Sequence, residues 1–161
     1  MKNTLNIAVV GLGQIGIYLL NELNTKKKDI FNKTGQKINI VAVSAKNKNK
    51  KRKFSFNKKI FFKNPLEIFN KKKVDILFEA IGLSDGISKK VVETALKKKI
   101  HVVTPNKALI SKHGNELAKL AEKNNVNLEF EASVAGGIPI LRTIKEGLTT
   151  NKISKVYGIL N

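Results

Sequence analysis

Apolar residues come along this chain in short unbroken runs, separated by stretches where they recur every three or four positions. Short apolar runs bounded by turn residues predict buried strands. Here they fall at 6–10, 38–44, 60–62 (short), 74–81, 100–104 and 126–131. Between them the spacing is helical. Residues 14–32 predict a helix broken near Thr25, and Asn64-Pro65-Leu66 opens a short one reaching Asn70. Over 86–98, Ile87, Val91, Val92 and Ala95 share a face. Over 106–124, Leu109, Leu117, Leu120 and Ala121 do the same, with a break expected at His113-Gly114. Pro139 to Leu148 predicts the last helix, started by its proline. Strands alternating with helices call for parallel pairing through right-handed crossovers. The expected fold is α/β, an open doubly wound parallel sheet with a ligand at the carboxyl ends of its strands.

One junction in this pattern is chemically specific. The run Ile7 to Val10 ends in Gly11-Leu12-Gly13-Gln14-Ile15-Gly16, and helical spacing resumes at Ile17. Strand, G-x-G-x-x-G and helix in that order form the Rossmann-type dinucleotide-binding fingerprint. Gly11 permits a tight turn. Gly13 lets a pyrophosphate approach the backbone, and Gly16 lets the helix pack close. Unpaired N–H groups at the helix start, from Gln14 and Ile15 onward, then face the phosphates.

Composition narrows the class. A chain of 161 residues, 42% hydrophobic, fits one domain with its own core. Residues 1–150 are expected to be that domain, and Lys152 to Ile159 reads as a further strand. There is no cysteine, so disulfides and thiolate chemistry are excluded. No apolar stretch nears the ~18 residues of a membrane span, and the amino terminus lacks a signal-peptide core. A cytoplasmic protein is expected. The formal charge of +19 does not argue for nucleic acid, because Arg52 and Arg142 are the only arginines and aromatics make up 6%. Nucleic-acid recognition recruits arginine and aromatic residues. Lys, Asn and Ile all have AT-rich codons, so a biased genome accounts for the excess lysine.

The end of the second strand bears on the cofactor. An NAD site places an acid there for the ribose hydroxyls. This chain has Val43-Ser44-Ala45-Lys46 and no acid before Glu67. Lys46, with Lys48, Lys50 or Arg52, is suited to a 2′-phosphate, and Ser44 to donating to it, so NADP is expected over NAD. Gly82 lies where backbone must pass the cofactor, and Glu79 before it reads as a satisfied structural carboxylate. Thr104 suits an N-cap and Pro105 the first helical position. Lys107 then sits at a helix start, where a cation is disfavoured unless it faces phosphate, nicotinamide or substrate oxygen. Glu131 to Pro139 reads as a strand end, a glycine hinge at Gly136-Gly137 and a new helix. His101 and His113 have no partners at metal-ligand spacing and read as structural.

Taken together, Gly11 to Gly16, Val102-Val-Thr-Pro-Asn-Lys-Ala-Leu109, His113 to Leu117, Phe130 to Ile140, Lys145 to Leu148 and Tyr157 to Asn161 resemble homoserine dehydrogenases, in order and at the family's spacing. The resemblance implies NAD(P)-dependent interconversion of L-homoserine and L-aspartate 4-semialdehyde, on the route to threonine, methionine and isoleucine. It implies pyrophosphate binding by Gly11, Gly13, Gln14, Ile15 and Gly16, and phosphate contact by Lys46. Thr104 and Lys107 would border the nicotinamide, with Lys107 near the reacting oxygen as the catalytic residue. Backbone carbonyls of Glu131, Val134, Gly136 and Ile138 match a sodium site. Leu83 departs from the Gly-Gly that often closes the fourth strand.

The family pattern continues beyond Asn161 into a second domain that carries substrate groups and much of a homo-oligomer interface. The chain is therefore expected to correspond to the amino-terminal half, with 151–161 as the first strand of the next domain, and to bind cofactor without turnover. Two other readings stay open: another Rossmann amino-acid dehydrogenase, or a non-catalytic nucleotide or nucleic-acid-binding module.

Overall fold

β1 (Thr4–Val10) lies at the centre of a six-stranded sheet, because it carries the chain's first stretch of residues buried on both faces. The computed structural model describes residues 3–48, 50, 52, 56–136 and 138–158. β1 is followed by α1 (Gln14–Thr25), α2 (Lys27–Thr34) and β2 (Lys37–Ser44). Next come β3 (Phe61–Phe62), a 3₁₀ turn at Pro65–Glu67 leading into α3 (Ile68–Lys71), β4 (Ile76–Glu79) and α4 (Ile87–Lys97). β5 (His101–Val103), α5 (Lys107–Lys123), β6 (Leu128–Glu129) and α6 (Ile140–Arg142) complete the order.

The strand order is β3-β2-β1-β4-β5-β6, and every neighbouring pair is parallel. This is the doubly wound topology expected from strand–helix alternation. The period of two in β1 divides the core. Ile7 and Val9 pack with Leu12, Leu20 and Val43 on one face. Ala8 and Val10 pack with Leu77, Val91, Leu96, Leu109 and Leu117 on the other. Each such aliphatic side chain, fully buried, contributes about 1.5–3 kcal/mol.

The first helical stretch breaks at Lys26, next to the expected Thr25, and α2 ends on Gly35 in the left-handed region (φ 69°). The break expected at His113-Gly114 does not occur: α5 runs through it unbroken. His113 is held by Asp85 at 2.9 Å, and Leu117 and Ala121 beyond the glycine are buried, so tertiary contacts outweigh the weak propensity of one glycine. Thr104 is not the N-cap of α5 and Pro105 is not its first residue. Asn106 is the cap, its side chain accepting the Leu109 N–H at 3.2 Å. The last helical segment is α6 followed by a π turn at Thr143–Gly147, within the expected 139–148. Over the described residues 152–158 no strand forms. They are exposed and pair with no strand of the sheet. No helix among the described residues is long and apolar enough to cross a membrane.

Candidate functional site

The carboxyl ends of β1 to β4 open onto one cleft of about 540 Å³, at the point where the strand order reverses between β1 and β4. That crevice is where open α/β sheets bind ligands. The three fingerprint glycines meet three different surroundings there. Gly11 adopts φ +97°, and a Cβ on it would overlap the backbone of Ala80. It is threaded between two strands: its N–H donates to the Ser44 carbonyl at 2.9 Å, while Ala80 N–H donates to Val10 at 2.7 Å. A Cβ on Gly16 would overlap the Gly11 carbonyl, so α1 lies tight against the turn. Around Gly13 a Cβ would meet nothing within 4 Å; this residue faces open space.

Gly13 is also the N-cap of α1, without a side-chain cap. The first intrahelical donor is Ile17 N–H, to the Gly13 carbonyl at 3.0 Å. The N–H groups of Gln14, Ile15 and Gly16 precede it, and with the helix dipole they form an anion-binding end. Gln14 and Ile15 are exposed and Gly16 is buried behind them. A pyrophosphate therefore fits the space left at Gly13.

The bank beyond β2 is basic. Ser44, Lys46, Lys50, Arg52 and Lys63 line it, and among the described residues no lining residue of the cleft is acidic. Ser44 is buried, whereas Lys46 and Lys63 are exposed. Arg52 is turned into the loop itself, donating to the carbonyls of Asn47 at 2.6 Å, Lys50 at 3.0 Å and Leu12 at 3.4 Å. It ties the basic loop to the glycine turn. Lys63 was not singled out by sequence reasoning. Its signal is its place just after β3, whose carboxyl end lies beside that of β2.

The opposite bank rests on a buried carboxylate. Glu79, at the end of β4, is fully buried. Its Oε1 accepts the Ile81 N–H at 2.8 Å and its Oε2 the Thr104 hydroxyl at 2.6 Å. Thr104 Oγ1 in turn accepts the Asn106 N–H at 3.1 Å. Asn106 Nδ2 lies 3.4 Å from Glu79 Oε2 and donates to the Leu83 carbonyl at 2.8 Å. Glu79 is thus the satisfied structural carboxylate expected. Thr104 sits beneath the surface instead of lining the cleft. Gly82 takes φ +89° between Ile81 and Leu83, which both line the cleft. Lys107 is the exposed first residue of α5, on the same sheet edge as the glycine turn because β1, β4 and β5 are parallel.

Glu131, Val134, Gly136 and Ile138 lie apart from this cleft, in the loop after β6. The Glu131 side chain accepts the N–H groups of Leu141 and Arg142 at 2.9 and 2.8 Å, capping α6. The Glu131 and Ile138 carbonyls each accept one local N–H, from Val134 and Ile140, which leaves each a second lone pair. Gly137 lies outside the described residues. His101 Nδ1 takes the Asn127 N–H at 3.0 Å, and His113 pairs with Asp85, so each is accounted for by structural contacts. Among the described residues no group of three or more His, Asp or Glu side chains gathers to hold a metal ion.

With this geometry in hand, the likeness to known proteins is specific. Residues 11–131 match the sequence profile of the homoserine dehydrogenase NAD-binding domain. The homoserine dehydrogenase of Neisseria gonorrhoeae is 39% identical over 97% of this chain and 35% of its own length. That of Bacillus subtilis is 35% identical over 98% of this chain and 36% of its own. The crystal structure of the Thiobacillus denitrificans homoserine dehydrogenase superposes with a TM-score of 0.78 at 32% identity, covering 92% of this chain and 34% of that one. The chain spans about a third of the length of the curated relatives it matches. Its glycine turn, its sheet order and these likenesses agree that this chain belongs to the homoserine dehydrogenase family, as its nicotinamide-nucleotide-binding domain.

Proposed function

We propose that this domain serves an enzyme that interconverts L-homoserine and L-aspartate 4-semialdehyde, with NADP preferred to NAD, in cytoplasmic amino-acid biosynthesis. The observation that carries the reading is the division of labour at the glycine turn: Gly11 and Gly16 are packed against backbone, and Gly13 faces open cleft. Gly13, Gln14, Ile15 and Gly16 hold the pyrophosphate through backbone N–H groups, and Gly11, whose own N–H is engaged by the Ser44 carbonyl, makes the turn that presents them. Ser44 and Lys46 meet the 2′-phosphate. The absence of an acid among the described lining residues supports this, since a carboxylate there would repel that phosphate. Gly82 belongs to the wall on the nicotinamide side, with Thr104 buried behind it.

A nicotinamide held against Ile81, Gly82 and Leu83 would supply the hydride acceptor for the carbinol carbon, or the donor in the reverse direction. The chain's own part is position and charge. As the hydroxyl becomes a carbonyl its proton must pass to a base, a role assigned with substrate positioning to the length that the relatives carry beyond the matched region. Lys107, exposed at the same edge, stabilises the oxygen as charge develops on it. Its ammonium carries an unfavourable interaction with the α5 dipole, which a bound anionic group relieves. The carbonyls of Glu131, Val134, Gly136 and Ile138 are the proposed ligands of a sodium ion. Ala135 and Gly136 at φ 50° and 62° supply a turned backbone, and hard cations take oxygen ligands.

Substrate positioning is assigned to the length that the relatives carry beyond the matched region, and residues 151–161 to its beginning. Holding two reactants in register is worth up to ~7–11 kcal/mol, so the 161-residue chain binds cofactor without turnover. Calorimetric titration with NADP and NAD tests the first part, with NADP expected to bind about tenfold more tightly from one charge-assisted contact. Equal affinities refute the preference, and no binding of either refutes the site. Following reduced cofactor in the presence of homoserine tests the second. Turnover at ordinary enzyme rates, ~1–1000 per second, refutes it.

A further inference from the structure

The geometry points to Glu79 as the positioning residue of the nicotinamide-side wall: its buried carboxylate fixes the turn after β4 against the turn after β5, and so sets the surface that receives the nicotinamide half of the cofactor. This rests on the dinucleotide reading given above and goes beyond it, since no cofactor contact is assigned to Glu79 itself.

Three features carry the inference. First, the residue is out of place as a strand residue. Glu79 closes an apolar strand at 0% exposure, where an ionisable side chain is costly unless it is fully bonded. Second, its bonds go to the loops and not to the sheet. Ile81 N–H binds one oxygen and the Thr104 hydroxyl the other, and those donors come from the two different turns that border the cleft. Third, the bonds form a chain with a direction. Thr104 Oγ1 accepts from Asn106 N–H, so its own proton goes to Glu79. Asn106 then spans back to the Leu83 carbonyl and caps α5, whose first residue is Lys107. Thus one side chain links Ile81, Leu83, Thr104 and the start of α5. Every group facing the carboxyl is a donor, so the acceptor-only carboxylate satisfies them all. The amide of glutamine, of the same shape, turns an N–H toward at least one of them.

Such a linkage acts on half of the ligand. The adenosine half meets the bank built from the ends of β2 and β3, and the bonds of the Glu79 carboxylate go elsewhere, to Ile81, Thr104 and Asn106. The probes are NADP and 2′,5′-ADP; the second carries the 2′-phosphate and no nicotinamide. For the 161-residue chain with Glu79→Gln, NADP affinity is expected to fall about tenfold while 2′,5′-ADP stays within about twofold, from the loss of one buried charge-assisted bond. A variant that simply loosens the domain weakens both ligands alike. Thr104→Val serves as a second variant if Glu79→Gln does not fold. It removes the hydroxyl bonded to Glu79 Oε2 while leaving Glu79 itself in place, and the same split at about threefold to tenfold is expected. Amide exchange of Ile81 and Asn106 in the ligand-free protein is expected to quicken in either variant. Parallel loss of both ligands, or unchanged NADP affinity in a folded variant, overturns the proposal. Failure of the unaltered chain to bind 2′,5′-ADP at all would instead refute the dinucleotide site on which it rests.

Discussion

The two banks of the cleft are built on opposite principles. On the β2–β3 side the recognition groups are exposed lysines on a loop, held to the glycine turn by the guanidinium of Arg52. On the β4–β5 side the organising group is a carboxylate with no exposure at all, bonded to a hydroxyl and backbone N–H groups. Exposed charges contribute little individually and are screened by salt. A buried hydrogen-bonded network is costly to disturb, because each partner left behind is unsatisfied. Under the function proposed above, the bank assigned to the ribose is therefore the one of exposed, screened charges, and the bank assigned to the nicotinamide is the one of buried, mutually bonded groups.

The contrast can be broken most severely at the turn the two banks share. Gly16→Ala puts a Cβ onto the Gly11 carbonyl, a backbone atom that cannot step aside. A loss of about 2–4 kcal/mol in denaturant unfolding is expected, in line with overpacking at a rigid contact. Gly13→Ala meets open space and has an ordinary φ of −79°, so stability should change by less than about 0.5 kcal/mol. Dinucleotide binding should nevertheless drop at least tenfold, as the methyl occupies the place of the phosphate. Equal destabilisation by the two variants would show that the glycines do not divide their tasks.

A middle-sized effect is expected from reversing charge on the bank of exposed lysines. Lys46→Glu and Lys63→Glu should each lower the ratio of NADP to NAD affinity by about tenfold or more, an effect that shrinks as salt is raised. A ratio unchanged by both would remove the 2′-phosphate from this bank. The smallest effect concerns the exposed cluster joining the β4–α4 turn to α5. Lys112, with Ser84 and His113, holds the Asp85 carboxyl well below the usual carboxylate range. A depressed carboxylate adds stability above its unfolded pKa, and that stability is lost as pH falls through the folded value. Asp85→Asn should therefore be slightly less stable than the parent near pH 6, with the gap closing below about pH 4. A gap that widens on acidification would contradict the assignment.

What sequence could and could not reveal follows the same division. The glycine turn and the strand–helix alternation are local patterns, and each is met in the structure. The break near Thr25 was legible from local spacing too, and occurs at Lys26. The network around Glu79 was not legible, since its members stand 25 and 27 residues apart and meet only through the pairing of β4 with β5. That pairing is also why Thr104 turned inward and left the capping of α5 to Asn106. Arg52 looked like one more cation for the phosphate. Only folding shows that carbonyls of its own loop engage it. The apparent break at His113-Gly114 failed for a related reason, because Asp85, which holds His113, is remote in sequence.

The order of the strands also bears on how the chain is made. β1 is synthesised before β2 and β4 yet takes the middle place in the sheet, pairing with β2 on one side and β4 on the other. Its second edge has no partner until Glu79 has been synthesised, so until then an apolar strand with open hydrogen-bonding groups is exposed to other chains. Such edges template aggregation. The lysine-rich segments already made by then give the nascent chain a strong like charge, which keeps neighbouring copies apart while β1 waits for its partner.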